Sequence, residues 1–486
     1  MSKRGLGFGA AIGAMVVAAA WGAPAAQAHT ATSPAPKSQD DFNGDGYADV
    51  AITAPGATVG GKAKAGYVAV VYGSATGLDK ATRQVISQNT AGIPGTAEAG
   101  DAFGSAVTGA DLDGDGYADL VVGASGEDVG GATDAGTLTV VWGGKKGLSG
   151  GAVALEGGAY DMSGALLTAG DFNGDGHQDV TYRLGGDLGV LSGPFSRSGA
   201  DPASSGTVEL DPGAEYDTGL SATGLAAGDI DGDGVTDLVA AVWAPENPID
   251  SRETRYLHGV SGSGLAAPVA LRTPRGGPVE ATSVDVGDVD GDGYEDVVAG
   301  RWDGGESDEW TPDAKGGSVE VIPGTATGPD DASMATYNQD TPGVPGAAET
   351  GDGFGAGVTV GDINGDGYAD VATGIPFEDF GGRTDAGTVA LLPGSGSGLT
   401  GTGAKVYSQD SSGVPGTAET QDRFGSSAKL VGSKGDGKGE LVVGDPNEDG
   451  TAGAAWVLRG TGSYVIGAST LGTTAAKARL GAGFDN

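Results

Sequence analysis

The sequence predicts an all-β fold assembled from repeated blades, a β-propeller, on three observations. An acidic motif, D-x-[DN]-G-D-G, recurs along the chain. A short apolar run follows each copy, as "LVVGA" follows Asp119. Helical periodicity is almost absent, because glycine, 97 of 486 residues, interrupts nearly every window that would carry it.

The first 28 residues stand apart from this pattern. Lys3 and Arg4 give a basic start, Met15, Val16 and Val17 lie in an apolar stretch of small residues, and Ala26-Gln27-Ala28 is a cleavage signature. Residues 1–28 therefore read as a secretory signal peptide, which makes the protein secreted and extracellular. Residues 29–40 form a flexible tether rich in Pro, Ser and Ala. The remainder, 41–486, reads as a single repeat-built domain with no further segment apolar enough to span a bilayer.

Composition narrows the partners. The net charge of -39 becomes -41 when Lys3 and Arg4 leave with the leader. Nucleic acid and anionic membranes are poor partners for such a surface. With no cysteine, an exported chain has neither disulfides nor a thiol nucleophile, so packing, hydrogen bonds or metal must stabilise it.

The acidic motif starts at Asp41, Asp111, Asp171, Asp229, Asp288 and Asp362, and a decayed seventh copy, "GSKGDGKGE", starts at Gly432. Successive starts lie 70, 60, 58, 59, 74 and 70 residues apart. A repeat of this length is one supersecondary unit that cannot bury its apolar face alone. Within the second unit, "FGSAVTGADL", "YADLVVGAS" and "AGTLTVVWG" read as three strands, the last with Leu138, Val140 and Trp142 alternating. The first unit shows the fourth strand most clearly, as "TRQVISQ". Repeated four-stranded units of this kind point to the propeller, where radial packing protects sheet edges.

The six intact loops carry Asp or Asn at positions 1, 3, 5 and 9 and glycine at 6, where the backbone must bend sharply through positive φ. Such spacing aims alternate side chains inward, and the carbonyl of position 7 adds another oxygen, a set suited to Ca²⁺. The predicted ligands are Asp41, Asn43, Asp45, Tyr47 and Asp49 in the first loop, and Asp111, Asp113, Asp115, Tyr117 and Asp119 in the second. Asp171, Asn173, Asp175, His177 and Asp179 form the third set, and Asp229, Asp231, Asp233, Val235 and Asp237 the fourth. The last two are Asp288, Asp290, Asp292, Tyr294 and Asp296, then Asp362, Asn364, Asp366, Tyr368 and Asp370. Tyr47, Tyr117, His177, Val235, Tyr294 and Tyr368 would contribute backbone oxygen only. An EF-hand is excluded, because position 12, which should be Glu, is Ile52, Val122, Tyr182, Ala240, Ala299 or Thr373. In the seventh copy Gly432 and Lys434 replace two ligands, which argues against metal there.

With the loops placed, the chain resembles the FG-GAP repeats of integrin α-subunit propellers and of related bacterial secreted proteins. "FG" stands at Phe103-Gly104, Phe354-Gly355 and Phe424-Gly425, each eight residues before loop position 1. The "GAP" element stands as "TAPG" at 53–56, "GAS" at 123–125, "GIP" at 374–376 and "GDP" at 444–446. A linking segment recurs as "SQNTAGIPGTAEAGDAFG", "NQDTPGVPGAAETGDGFG" and "SQDSSGVPGTAETQDRFG". The resemblance implies a seven-bladed propeller, with calcium in the lower loops between the first two strands of a blade and ligand contacts on the opposite, upper face. Blades three to five depart from it, having Ser163-Gly164, Ser221-Ala222 and Glu280-Ala281 where FG should stand.

These readings favour a secreted, monomeric, calcium-binding module for adhesion or recognition of an extracellular protein or glycan. Its ligand candidates are Trp243, Arg252, Arg255, Tyr256, Arg301, Trp302 and Trp310, in a chain otherwise poor in aromatic and basic residues. The alternative is an extracellular hydrolase, phospholipase- or glycosidase-like, built on the propeller. Little favours it, since there is no GxSxG or HExxH and only three histidines.

Blade one lacks a first strand before its loop at Asp41. At the other end "AKARLGAGFDN" aligns with "TQDRFGSSAKL", placing Leu480-Gly481 where Phe424-Gly425 stands, so that the next loop would begin at 488, two residues past Asn486. The C-terminal strand, residues near 478–486, is therefore expected to close blade one.

Overall fold

The computed structural model describes residues 40–212, 220–244, 251–303, 315–432, 439–460 and 462–485. These form a seven-bladed β-propeller, each blade an antiparallel sheet whose strands follow in chain order. Blade two shows the full pattern, with strands Phe103–Ala110, Asp119–Ala124, Thr137–Val141 and Gly151–Glu156. Blade four departs from it by inserting a small hairpin, Gly259–Val260 with Gly264–Leu265, before its outer strand Val269–Ala270. The predicted leader, most of the tether, and the core of the seventh loop lie outside the described residues.

Blade sandwiching explains one difference from the sequence pattern. Alternation suggested that only Leu138, Val140 and Trp142 face the core, yet every residue of Thr137–Val141 is buried. Each central strand has another blade against both of its faces, so both side-chain rows are covered. The apolar clusters accordingly span blade boundaries: Val68, Val70 and Ile86 of blade one pack with Phe103, Leu120 and Val122 of blade two. At about 1.5–3 kcal/mol for each fully buried large apolar side chain, these seams supply most of the favourable term.

The FG and GAP elements meet at the same seams. A Cβ on Gly374 would lie 1.9 Å from the carbonyl oxygen of Gly425, and one on Gly444 2.3 Å from that of Gly481, so only glycine permits the approach. Blade three keeps this contact without the aromatic, since Gly123 presses on Gly164 in the same way.

The C-terminus closes blade one as expected. Phe484 bridges antiparallel to Ile52, the Thr53 amide donates to the Gly483 carbonyl at 3.0 Å, and the Gly481 amide returns to Thr53 at 3.0 Å. The register matches the intact blades: Val107 pairs with Val122 as Phe484 pairs with Ile52, once the missing loop is counted. The contact is a bridge rather than a full ladder, so the named sheet of blade one has three strands, Val50–Ala54, Tyr67–Val71 and Arg83–Ile86. Residues 482–485 and the first strands of blades two to seven together line an axial channel of about 910 Å³.

Candidate metal centres

Each acidic loop connects the first strand of its blade to the second, as Asp111–Asp119 joins Ala110 to Leu120. The turn is held by its own carboxylates. Asp41 Oδ2 accepts the Gly46 amide at 2.9 Å, Asn43 Oδ1 accepts Asp45 at 2.9 Å, and Asp45 Oδ1 accepts Tyr47 at 3.1 Å. The position-6 glycines all adopt positive φ, 89° at Gly46 and 92° at Gly116, which is the bend the spacing required.

Position 9 has a second role. Asp119 Oδ2 accepts the Leu112 amide at 3.1 Å and its Oδ1 the Gly143 amide at 2.7 Å, pinning loop and third strand together. The same pair of bonds recurs at Asp49, Asp237, Asp296 and Asp370. Burial pushes these acids up, Asp49 to about 8, Asp119 to about 7, and Asp179 and Asp296 to about 6, while the backbone amides pull the other way. At neutral pH burial thus holds much of Asp49 protonated, and positive charge beside it would favour the ionised form.

In two of the loops the structure brings three of the predicted carboxylates together. One oxygen from each of Asp111, Asp113 and Asp115 lies within 4.8 Å of the others, as do those of Asp288, Asp290 and Asp296. In the fourth loop Asp229 Oδ1 is buried with no hydrogen-bond partner. The donor set is oxygen from carboxylate, amide and backbone, which fits a hard divalent cation of calcium size.

Two residues enter these loops that the motif does not contain. Arg197, reaching over from blade three, places Nε 2.5 Å from Asp113 Oδ2 and Nη2 3.0 Å from Asp115 Oδ2, with its guanidinium 5.5 Å from the Trp142 ring centre. His258 puts Nδ1 3.2 Å from Asp231 Oδ2 and 3.1 Å from Asp237 Oδ1, so it belongs to the fourth loop. The seventh unit uses a different chemistry. Glu440, at position 9, is buried and meets Arg459 Nε at 2.5 Å, while its Oε2 accepts the Leu78 amide of blade one at 2.7 Å.

The loops also form a chain around the ring. Tyr117 packs on Gly44 of the preceding loop, where a Cβ would meet the ring at 2.5 Å, and Tyr294 and Tyr368 do the same to Gly232 and Gly291. The Ala118 amide donates to the Asp41 carbonyl at 3.0 Å, and Ala369 to Asp288 at 2.9 Å. Tyrosine at position 7 and glycine at position 4 are thus an inter-blade packing pair.

The proposed ligand residues separate. Trp243 and Trp302 are 39 % and 38 % exposed at the upper ends of their strands, and Trp302 lies 5.6 Å from Phe377 of blade six, itself under Arg423. Arg252 pairs with Asp303 beside them. Arg301 is mostly buried on Glu280 at 2.9 Å, and Arg255 is mostly buried on Glu253 at 2.6 Å. Tyr256, only 8 % exposed, lies against Gly328 of the next blade. Trp310 lies outside the described residues.

A family model for the FG-GAP repeat matches residues 38–71, 103–141 and 354–392. The chain carries FG-GAP repeats. The chain is 30% identical to rat phosphatidylinositol-glycan-specific phospholipase D over 163 residues, 33% of this chain and 18% of that protein. Integrin alpha-5 of Xenopus laevis is 40% identical over 89 residues, 18% of this chain and 8% of that one. The chain thus spans less than a fifth of either relative. A lectin of Agrocybe aegerita that recognises non-reducing terminal N-acetylglucosamine aligns at a TM-score of 0.38 and 15% identity, over 75% of this chain and 80% of that one. Among the described residues no helix is long and apolar enough to cross a membrane.

Proposed function

We propose that this FG-GAP propeller is a secreted, calcium-stabilised module that binds an extracellular protein or glycan through its upper face. The observation that carries the calcium reading is the convergence of three acidic side chains at each of two loops, Asp111, Asp113 and Asp115 in one and Asp288, Asp290 and Asp296 in the other. Asp, Asn and one backbone oxygen in each of the six loops would hold the ion. Its contribution is charge neutralisation and a rigid link between the first two strands. The module reading is supported by partial likeness to integrin α chains and by Trp243 and Trp302, which stay exposed where nothing in the fold requires an aromatic.

Calorimetric titration of metal-free protein with Ca²⁺ tests the first part, with about six ions expected. A stoichiometry of zero would overturn it. Glycan and protein arrays probed with and without Ca²⁺ test the second, and sequencing the N-terminus of exported protein should find His29 first.

A further inference from the structure

The upper face carries a second acidic arrangement that the loop motif does not explain. Each long linking segment sets a glutamine in the same place. Gln88, Gln339 and Gln409 donate Nε2 to Glu127, Glu378 and Glu448 at 2.6, 2.9 and 2.7 Å. All three side-chain carbonyl oxygens are buried and accept no hydrogen bond. Leaving such an oxygen buried and unpaired is unfavourable, so a threefold recurrence calls for a partner.

In blade seven a further carboxylate joins this arrangement. Asp445 occupies the position that Ala124 holds in blade two and Ile375 in blade six, and it is 0 % exposed. Its Oδ1 accepts the amides of Asn447 and Glu448, both at 2.9 Å, while Oδ2 is buried without a partner. One oxygen from each of Asp422, Asp445 and Glu448 lies within 4.8 Å of the others. Gln409, 1 % exposed, is bonded to this cluster through Glu448 with its own carbonyl oxygen unmatched. Burial and mutual repulsion push Asp445 up to about 8 and Glu448 to about 7. An acid placed at an apolar core position is unfavourable unless something pairs with it.

We propose that Asp422, Asp445 and Glu448, the last held by Gln409, form a divalent-cation site of a second kind, on the upper face of blade seven and separate from the acidic loops. The chemistry is again hard oxygen, suited to Ca²⁺, and the ion would tie the linking segment to the turn after the second strand of blade seven. Trp456 offers a reporter. A Cβ at Gly416 would lie 3.6 Å from Gln409 Nε2 and 3.7 Å from Trp456 Nε1, so the indole borders the site.

The test uses the full chain and Asp445→Ala, which restores the residue found in blade two. Equilibrium dialysis should show one Ca²⁺ fewer per chain in the variant, whatever the loops bind. Terbium emission excited through tryptophan should lose one Ca²⁺-competed component in both Asp445→Ala and Trp456→Phe. In metal-free buffer Asp445→Ala should melt higher than wild type, and in saturating Ca²⁺ lower. An unchanged ion count, with the variant melting higher in both buffers, would show a protonated carboxyl cluster and overturn the site. If Asp445→Ala fails to fold, Gln409→Met decides: at least a tenfold weaker terbium component supports the site, and an unchanged one refutes it.

Discussion

Lys429 is the side chain on which the ring seam can be tested most directly. From the first strand of blade seven its Nζ reaches Asp40 Oδ2 at 3.0 Å and Asp485 Oδ1 at 3.4 Å, and donates to the Asp485 carbonyl at 2.7 Å. One ammonium therefore joins the entry to blade one, the last residues of the chain and blade seven. Burial works against its charge, but Asp40 and Asp485 outweigh that and hold it above the ordinary lysine range. Burial and the charge of Asp40 push Asp485 up to about 8. Lys429→Met keeps the length of the side chain and removes the charge. Taking one partner from a buried ion pair costs about 3–5 kcal/mol, because the remaining carboxylates have no counter-charge.

The sign of the pH dependence follows from Asp485. Its folded-state pKa already lies above that of an unfolded aspartate near 3.9, so the native state holds the extra proton and stability falls as pH rises toward 8. Without Lys429 that pKa moves higher still, and the fall continues to higher pH. At pH 5 Asp485 is neutral in both proteins, and the variant should lose the contact with Asp40 and the bond to the Asp485 carbonyl, about 1.5–3 kcal/mol. At pH 9, one unit above the Asp485 value, loss of its stabilised carboxylate should add about 1.4 kcal/mol more, bringing the total to about 3–4.5 kcal/mol. Urea unfolding in saturating Ca²⁺, followed by tryptophan fluorescence at both pH values, measures the difference. Acids that do not touch Lys429 cancel between wild type and variant. An equal loss at pH 5 and pH 9 would mean that Lys429 acts by packing alone, and the reasoning would fail.

Other consequences can be checked alongside. Metal-free protein should lose stability as pH rises from about 5 to 8, because burial raises Asp49, Asp119, Asp179 and Asp296 above their unfolded values, and Ca²⁺ should flatten that slope; a melting temperature indifferent to both chelator and pH would contradict the loop reading. Arg197→Ala, by removing a tethered cation from the second loop, should tighten one Ca²⁺ site about three- to tenfold, roughly 0.6–1.4 kcal/mol, visible as one altered class in the titration. Trp243→Ala with Trp302→Ala should abolish capture of whatever ligand the arrays find, while the melting temperature stays within a few degrees, since both side chains are over a third exposed. Truncation after Ala478 should abolish cooperative unfolding, as it removes buried Leu480 and Phe484 and the backbone bonds to Ala51 and Thr53.

The architecture was legible because it is periodic. Loop positions, strand order and even the register of Phe484 on Ile52 follow from counting residues between like motifs. What escaped the count is what depends on contacts between units. Arg197 lies 82 residues beyond Asp115, and no local pattern links them, although an arginine in so acidic a chain was itself a hint. Tyr117 was read only for its carbonyl, yet its ring is what requires glycine at position 44 of the previous loop. Tyr256 and Arg255 looked like surface recognition residues because strand and loop composition cannot tell which blade face a neighbour covers. Asp445 passed as an ordinary variant of the GAP element, and only its burial shows that it departs from Ala124 and Ile375.

The placement of the scarce basic residues carries a further lesson about this ring. With 26 Lys and Arg against 65 acids, few carboxylates have a side-chain partner, and the seam between blades seven and one holds two buried pairs: Lys429 with Asp40 and Asp485, and Arg459 with Glu440. Arg459 also donates to the Leu78 carbonyl while Glu440 accepts the Leu78 amide, so this pair spans the seam as well. Along the ring from blade three to blade six, by contrast, the acidic loops themselves bridge successive blades, through position-8 amides and the ring-on-glycine contacts. Those blades are also joined by the chain running from each into the next. The seam joins chain ends with no such continuity, and an exchangeable ion would leave it open whenever the ion departed. A covalently attached cation remains in place, so Lys429 and Arg459 keep their counter-charge at the seam whether or not any ion is bound.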